Sequence, residues 1–277
     1  GRQLSYLEDN VRGTQDWTHY DIVFNSLGNN KVQIALGTWD WQGGTMWIDD
    51  VAIEEIGMMN IIRRSEYPLV VTGEDGTVYS EGVDFEQVNA PLLGTAPSAR
   101  YYSVYHQGPV LKLTENSRIT EGQRLRVSFY AVGMTYSGQV AISLTSPQSL
   151  ALFNSTLSKV NDVMSPDGIL LNYNEIRVGN WEARPIPMTE GQAIASCIRE
   201  NYDYIHRLDP GLKVMVWNDM FDPYHNANDR LGLINGTCDG SYEGLDPNMI
   251  VVNWDYGLNR TQSLKFFGSL GNPQIIA

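Results

Sequence analysis

A chain of 277 residues, 42% of them hydrophobic, has room for about two domains with a buried core. Charged residues make up only 18%, which excludes a highly charged disordered chain, and the net charge of −13 disfavours nucleic-acid binding. No apolar run approaches the ~18 residues of a membrane-spanning helix, so we expect no membrane span. Because the sequence opens in mid-pattern at Gly1 and stops within an apolar run at Ala277, we expect it to be part of a longer protein.

The two cysteines, Cys197 and Cys238, fit no metal-ligand spacing. They could form one disulfide in an extracellular protein or remain two buried thiols, and the sequence leaves both open. Sequons at Asn154, Asn235 and Asn259 permit glycosylation without showing it. We predict no metal site and no cofactor.

Residues 1–57 alternate between apolar and polar side chains, as antiparallel strands do. The alternation predicts strands at 17–24, 31–37 and 45–56, with Trp47 and Val51 facing inward.

The run GTMWIDDV at 44–51 resembles the strand on which jelly-roll carbohydrate-binding modules commonly close. This resemblance implies that residues 1–57 are the C-terminal half of such a module. Trp39 and Trp41, on the Gly-rich loop, would then grip sugar, although packing inside the protein is the alternative. In such modules the Asp-Asp pair often lies near calcium, so a structural calcium stays open as an alternative to no cofactor.

Residues 58–123 are rich in turns and predict a β-rich connecting domain. Apolar runs at 69–72 and 77–79 flank the turn sequence GEDG, which predicts a hairpin, and 109–113 predicts a further strand. The acids Glu81, Asp84 and Glu86 form a local cluster that favours a solvated face over a cation site.

Residues 124–277 alternate between strand and helix patterns, which is typical of βα units. Five strands and four connections fall short of the eight of a closed barrel, so the sequence predicts an incomplete TIM-type β/α barrel. The fold class is therefore multidomain: a partial jelly-roll β-sandwich followed by a partial β/α barrel. The predicted strands are 124–130, 168–175, 213–219, 249–255 and 273–277, and the predicted helices are 147–163, 189–207 and 261–270.

Three of these predicted strands end on an acid: Glu175, Asp219 and Asp255. Trp217 and Trp254 precede two of those acids. Because the carboxyl ends of parallel strands form one face of a barrel, we expect a ring of acids with aromatic walls. That arrangement is typical of sugar-binding and sugar-cleaving sites.

Glu175 is the leading candidate for a general acid, since a glycosidase needs a proton donor at the leaving oxygen. Such a donor keeps its proton when apolar or acidic neighbours raise its pKa. The alternative is a structural ion pair with Arg177 or Arg184. Asp219 is the candidate for the second catalytic carboxylate, with hydroxyl binding or loop fixing as alternatives.

The remaining candidates are polar or aromatic side chains around these acids. Asp222 precedes Pro223, which favours a turn, and His225 is more often structural than a ligand contact. Trp217 and Trp254 could either floor a sugar subsite or pack in the core. The predicted substrate-binding residues are Asn174, Arg177, Trp217, Asp222, His225, Trp254 and Asp255.

The segments NEIRVGNW at 174–181 and WNDMFDPYHNA at 217–227 resemble motifs of hexosaminidase-type barrels, and more closely those of uncharacterised bacterial glycoside hydrolase-like proteins. The second motif is complete, but Asn174 stands where the resemblance predicts Asp. In hexosaminidases that Asp orients and charge-stabilises the substrate's acetamido group. An Asn can hydrogen-bond but cannot carry the charge.

The sequence therefore supports two hypotheses. The first is a secreted or cell-surface glycoside hydrolase-like protein that acts on an extracellular glycan, with Glu175 as general acid. The second is a non-catalytic carbohydrate-binding or structural assembly protein on a degenerate glycosidase scaffold. Carbohydrate is the expected partner in both, nucleic acid in neither, and self-association is left open.

Overall fold

The computed structural model describes two compact units, one within residues 13–140 and one within 142–277. None of the helices in the described ranges is long and apolar enough to cross a membrane. The described residues are 13–24, 26, 29–37, 43–65, 67–90, 108–132, 134–135, 139–140, 142–176, 178–180, 187–229, 233–234, 236–257 and 259–277.

The N-terminal unit is built on a three-stranded antiparallel sheet. Strands β1 (Val70–Gly73) and β2 (Val78–Tyr79) form the predicted hairpin, with Val71 opposite Tyr79. The GEDG segment closes it with a hydrogen bond from Gly76 N to Gly73 O. The predicted strand 109–113 contributes only a single bridge, between Leu113 and Phe85. The core of this unit consists of Met58, Ile61, Val71, Tyr79, Phe85, Val88 and Ile119.

The third strand of this sheet corrects one prediction. Strand β3 (Leu125–Ser128) pairs antiparallel with β1, with Val127 opposite Val71, so it is not part of a parallel array. Its side chains alternate between half-buried and exposed, which suits an antiparallel sheet with one solvated face. A short alternating run predicts a strand but not the direction of its partner. Two further strands, β4 (Met134–Thr135) and β5 (Gln139–Val140), form an antiparallel pair.

None of the described residues between 13 and 57 belongs to a helix or strand, so the structure differs from the prediction of strands at 17–24, 31–37 and 45–56. Trp47 is 73% exposed and Val51 is 65% exposed, so their predicted inward orientation is wrong. Alternation shows which side chains would share a face, but a strand also needs a neighbour for its backbone hydrogen bonds. Trp39 and Trp41 lie outside the described residues.

In the acid cluster of the N-terminal unit, Glu81 and Glu86 are exposed, as the solvated-face interpretation predicts, whereas Asp84 is buried. Asp84 is fully buried and accepts two hydrogen bonds from the Arg118 guanidinium, from Nε at 2.9 Å and from Nη2 at 2.7 Å. It also accepts the backbone N–H of Ser80 at 2.7 Å. Glu81 pairs with Arg63, and Glu86 pairs with Lys112. Each acid thus has a basic partner, but only the buried carboxylate of Asp84 requires one.

We predict that Asp84→Asn lowers the free energy of unfolding of this unit at neutral pH and reduces the dependence of that free energy on pH in acid. The hydrogen bonds from Arg118 and Ser80 hold the pKa of Asp84 well below its usual value. A depressed folded-state pKa stabilises the protein above the unfolded value, about 4, and that stability is lost as pH falls below it. Urea titrations across pH 2–7 should show that unfolding takes up fewer protons in the variant than in the wild type, by up to one proton. An unchanged pH dependence of the free energy of unfolding would contradict this role. Glu121→Asn, an exposed turn position, is the control.

The C-terminal unit contains a four-stranded parallel sheet. Its strands are β6 (Gly168–Leu171), β8 (Lys213–Trp217), β10 (Ile250–Asn253) and β11 (Gln274–Ile276), in the spatial order β11-β10-β8-β6. Leu170 lies opposite Met215, Val216 opposite Val251, and Val252 opposite Ile275. These strands lie within the four predicted strands 168–175, 213–219, 249–255 and 273–277, and each is shorter than predicted. A separate short parallel pair joins β7 (Val178–Gly179) to β9 (Leu233–Ile234).

Three helices connect the strands close to their predicted positions: α1 (Pro147–Met164), α2 (Glu190–Leu208) and α3 (Arg260–Leu270). Helix α1 begins with Pro147 directly after Ser146, since a Pro in the first turn lacks only an N–H that the helix would not use. Helix α3 ends at Gly271, whose φ of 87° permits the left-handed cap. Two short 3₁₀ turns, Asp219–Phe221 and Ser241–Gly244, follow β8 and β9.

Helix α2 carries the strongest start signal. The Thr189 side chain accepts the N–H of Gln192, and the Gln192 side chain accepts the N–H of Thr189, which completes a capping box. The helix then buries one face against the sheet. Close packing at its first turn requires Gly191, where a Cβ would come within 2.1 Å of the Asp239 carbonyl oxygen. The core of the unit includes Ile194, Ile198 and Ile205 of this helix, with Val214 and Val216 of β8 and Val251 of β10.

We predict that Thr189→Ala lowers the free energy of unfolding of this unit by about 1 kcal/mol, the usual cost of losing an N-cap side chain. The matched control is Thr261→Ala in the first turn of α3, where the cap residue Asn259 makes no side-chain hydrogen bond to the helix backbone. Urea titration followed by circular dichroism should leave that control within about 0.5 kcal/mol of the wild type. Equal effects in the two variants would mean that the capping box contributes nothing specific.

Candidate functional site at the carboxyl edge of the parallel sheet

The predicted acids and tryptophans follow the carboxyl ends of three neighbouring strands. Strands β6, β8 and β10 end at Leu171, Trp217 and Asn253, and they are parallel. Their ends therefore lie at one edge of the sheet, which is where open and closed α/β sheets bind ligands. Glu175 follows the first strand, Asp219 the second, and Trp254 the third.

Asp219 is the hub of this edge. Its side chain is fully buried, and its Oδ2 accepts the backbone N–H of Glu175 at 2.7 Å and the side-chain amide of Asn226 at 3.2 Å. Its Oδ1 accepts a longer hydrogen bond, 3.4 Å, from the indole Nε1 of Trp254. One carboxylate thus joins segments that follow three different strands.

Burial raises the pKa of Asp219 above its usual value, because a carboxylate loses hydration inside the protein. The N–H of Glu175, the Trp254 indole, the nearby His225 and the Asn226 amide oppose that rise, since each favours the charged form. Desolvation is the larger effect. Asp219 therefore combines a dense set of donors with a pKa shifted toward proton retention.

The predicted strand 168–175 would have ended on Glu175. In the structure β6 ends at Leu171, so Glu175 lies four residues beyond the strand. Its backbone has a φ of 48°, in the left-handed region that non-glycine residues seldom adopt. Residues held in that region are over-determined by their surroundings and are common at functional sites. Its side chain is exposed, so the predicted apolar enclosure does not appear among the described neighbours. Arg177, Trp181 and Arg184 lie outside the described residues.

A second polar cluster, of which the sequence analysis singled out only Asp222, adjoins Asp219. The buried Asn218 accepts the backbone N–H of Trp254 through Oδ1 at 3.0 Å and donates from Nδ2 to Asp222 at 3.2 Å. Asp222, also fully buried, accepts the N–H of Tyr224 at 2.9 Å. Its carboxylate thus holds the turn that contains Pro223, as the turn interpretation predicted. The only sequence signal for Asn218 and Asn226 was their place inside the WNDMFDPYHNA motif.

Aromatic rings stand beside these groups. The His225 ring meets Trp254 edge-on with centroids 4.8 Å apart, and Tyr256 lies 6.1 Å from Trp254 on centroid distance. Trp254 is half-buried, as are Trp217 and Asn174. Trp254 contacts the buried carboxylate of Asp219 through its indole N–H.

Asp255 occupies the same edge but holds a turn. Its Oδ1 accepts the N–H of Gly257 at 2.8 Å, and its backbone carbonyl accepts Nε of Arg260 at 2.8 Å. These contacts fix the entry into α3. The structure therefore brings together Glu175, Asp219, Trp254 and His225, and gives Asp222 and Asp255 local contacts that shape the loops.

Both cysteines are buried free thiols in this unit. Cys197 accepts the Tyr173 hydroxyl at 3.1 Å, and Asn201 donates to that same hydroxyl at 2.6 Å. Burial raises the pKa of Cys238 to about 12, so this thiol stays protonated and unreactive. The described ranges contain no group of three or more His, Cys, Asp or Glu side chains placed to hold a metal ion.

Comparisons with known proteins add no relative to this description. No model of a protein family matches the chain, and no curated protein matches it in sequence. The chemistry of the residues at the carboxyl edge therefore carries the functional argument.

We predict that Asp219→Asn lowers the free energy of unfolding by about 1–3 kcal/mol, the cost of leaving a buried polar group unpaired. Asparagine keeps one acceptor oxygen but turns an NH₂ toward either the Glu175 N–H or the Trp254 indole, which are donors themselves. Asp229→Asn, an exposed position on the same loop, is the matched control. Denaturant titration at pH 7 measures both, and equal stabilities would show that the hub is energetically neutral.

The pH dependence of the same variant gives an independent check. Since the folded pKa of Asp219 is raised, its contribution to stability is complete below the unfolded value, about 4, and falls as pH rises through the folded pKa. The wild type should lose that contribution over this interval and Asp219→Asn should not. Identical pH profiles for the two proteins would contradict the raised pKa.

Proposed function

We propose that this protein is a carbohydrate-active, glycoside hydrolase-like protein that acts on an extracellular glycan, with Glu175 as the general acid. The observation that carries the proposal is the bond from Glu175 N–H to the buried carboxylate of Asp219. That bond holds an exposed acid at the sheet edge in a constrained backbone conformation. A general acid must be positioned within hydrogen-bond reach of the leaving oxygen, and a fixed backbone supplies that.

The walls of the site support a sugar as the ligand. Trp254 offers an aromatic face beside the acid, and sugar rings stack their apolar faces on such side chains. Its indole N–H is tied to Asp219, so the ring and Glu175 are oriented by the same carboxylate. His225, against Trp254, adds a group that can hydrogen-bond a hydroxyl.

The role of Asp219 in this proposal differs from the one predicted. As a second catalytic carboxylate it would have to reach the substrate, but it is fully buried and its oxygens accept three protein donors. We therefore place it as a positioning residue, which acts through the backbone of Glu175 and the ring of Trp254. The partner carboxylate or substrate group that completes hydrolysis is then to be sought elsewhere at this edge.

The wider setting follows from the same proposal. The four parallel strands with their connecting helices would belong to a TIM-type β/α barrel. That is an architecture in which a carbohydrate-active protein of the cell surface or exterior would act. The parallel order β11-β10-β8-β6 and the strand-end position of the acids support the barrel.

A non-catalytic carbohydrate-binding or assembly protein on the same scaffold is the second candidate. Asn174 favours it, since this half-buried residue stands where an acid would be needed to stabilise positive charge on a substrate's acetamido group. The exposed side chain of Glu175 favours it as well, because it lacks the apolar enclosure expected of a general acid.

The deciding experiment compares Glu175→Gln with the wild type on a panel of aryl glycosides. Glutamine is nearly isosteric but cannot donate a carboxylic proton, so turnover should fall by a factor of about 10²–10⁴ while folding and glycan binding persist. Glu200→Gln, an exposed acid on α2, is the matched control and should keep full turnover. Equal turnover in the wild type and Glu175→Gln would remove Glu175 from the mechanism.

Asn174→Asp separates the two candidates. If the wild type binds glycans without cleaving them and this substitution restores cleavage, the protein is a binding protein on a former glycosidase scaffold. If the wild type already cleaves and Asn174→Asp leaves turnover unchanged, the first candidate stands.

A further inference from the structure

A cleft lies beside the carboxyl edge of the parallel sheet, on the loop that follows β8. It is an open cleft of about 320 Å³, lined by Pro223, Tyr224, His225, Asn228 and Asn259. That volume is at the lower end of small-molecule sites and suits a ligand the size of one sugar unit.

The walls of this cleft are held by hydrogen bonds to the loop backbone. Asn228 donates to the carbonyl of His225 at 2.8 Å and to that of Pro223 at 3.3 Å. Asn259, directly before α3, donates to the carbonyl of Tyr224 at 3.0 Å. Two separate chain segments, 223–228 and 259, are therefore locked together, so the cleft is formed before any ligand arrives.

The chemistry of the lining indicates a neutral, hydroxylated ligand. None of the five described residues that line it is an acid, a lysine or an arginine. Tyr224 is 46% exposed and packs edge-on against Phe266, which leaves ring surface open to a ligand. His225 also lines the cleft and adds an imidazole, a side chain that can hydrogen-bond a hydroxyl.

The cleft is joined to the proposed catalytic site through His225. This side chain lines the cleft and also contacts Trp254, whose indole reaches Asp219. We infer that the cleft is a subsite for a neutral sugar unit, with Tyr224 as its stacking platform, adjacent to the unit bound at Trp254. This inference rests on the proposed function and deepens it: the substrate is an oligosaccharide rather than a single glycoside.

The test is saturation-transfer NMR with methyl glycosides of glucose, galactose and N-acetylglucosamine. The full chain is produced in bacteria so that the Asn259 sequon stays unmodified. Tyr224→Ala should weaken binding of the preferred glycoside about tenfold, or about 1.4 kcal/mol, since the variant loses the stacked ring together with the apolar area that the ring buries. Tyr224→Phe keeps the ring and should stay within about twofold. Tyr224→Leu keeps apolar bulk against Phe266 and should bind as weakly as Tyr224→Ala.

The outcomes separate the subsite from the catalytic proposal. If glycosides bind but all three Tyr224 variants match the wild type, the subsite is wrong, while the Glu175→Gln turnover result still decides the function. If Tyr224→Ala and Tyr224→Leu lose binding but Glu175→Gln has no effect on turnover, the subsite stands and Glu175 is not the acid. Absence of saturation transfer to every methyl glycoside in the wild type overturns the subsite.

Discussion

The buried carboxylate of Asp219 is the interaction on which the carboxyl edge of the parallel sheet depends. It accepts hydrogen bonds from the segments that follow β6 and β10 and from its own loop. Among the described residues, it is the side chain that links these three segments directly. Placing a carboxylate there is costly, because burial disfavours its charge and raises its pKa. The hydrogen-bond donors offset that cost. In return, the carboxylate fixes both the left-handed backbone of Glu175 and the orientation of the Trp254 ring.

Asn218 and Asp222 extend this arrangement one layer back. Asn218 binds the backbone of Trp254, and Asp222 binds the turn that carries Tyr224 and His225. The two side chains are hydrogen-bonded to each other and flank the 3₁₀ turn after β8. The acid at the edge, the aromatic wall and the adjoining cleft are thus fixed by one continuous set of short polar side chains. A site with such support is preorganised, which is what both catalysis and tight sugar binding require.

Much of the C-terminal unit could be predicted from local signals. Pro147 and the Thr189 capping box mark helix starts, Gly271 marks a helix end, and four apolar runs became the four parallel strands. The meeting of Glu175, Asp219 and Trp254 followed from strand-end positions in parallel strands. The part played by Glu175's backbone, and by the amides of Asn218 and Asn226, could not be predicted, because asparagine and main-chain donors carry no sequence signature of their own.

Tertiary pairing accounts for the other differences. Leu125–Ser128 was predicted as a strand of the parallel array. It is a strand, but it pairs with Val70–Gly73, and that pairing is antiparallel. Asp84 belonged to an acid cluster that suggested a solvated face, but Asp84 is buried and is paired with Arg118, thirty-four residues later. Neither pairing is visible in a local pattern.

The most direct measurement is a crystal structure of the Glu175→Gln variant with an oligosaccharide that it binds. The account predicts a sugar ring against Trp254, the glycosidic oxygen within about 3 Å of the carboxamide at position 175, as a general acid requires, and the next unit on Tyr224. An oligosaccharide bound away from the carboxyl edge of the sheet, with position 175 free of contact, would contradict it.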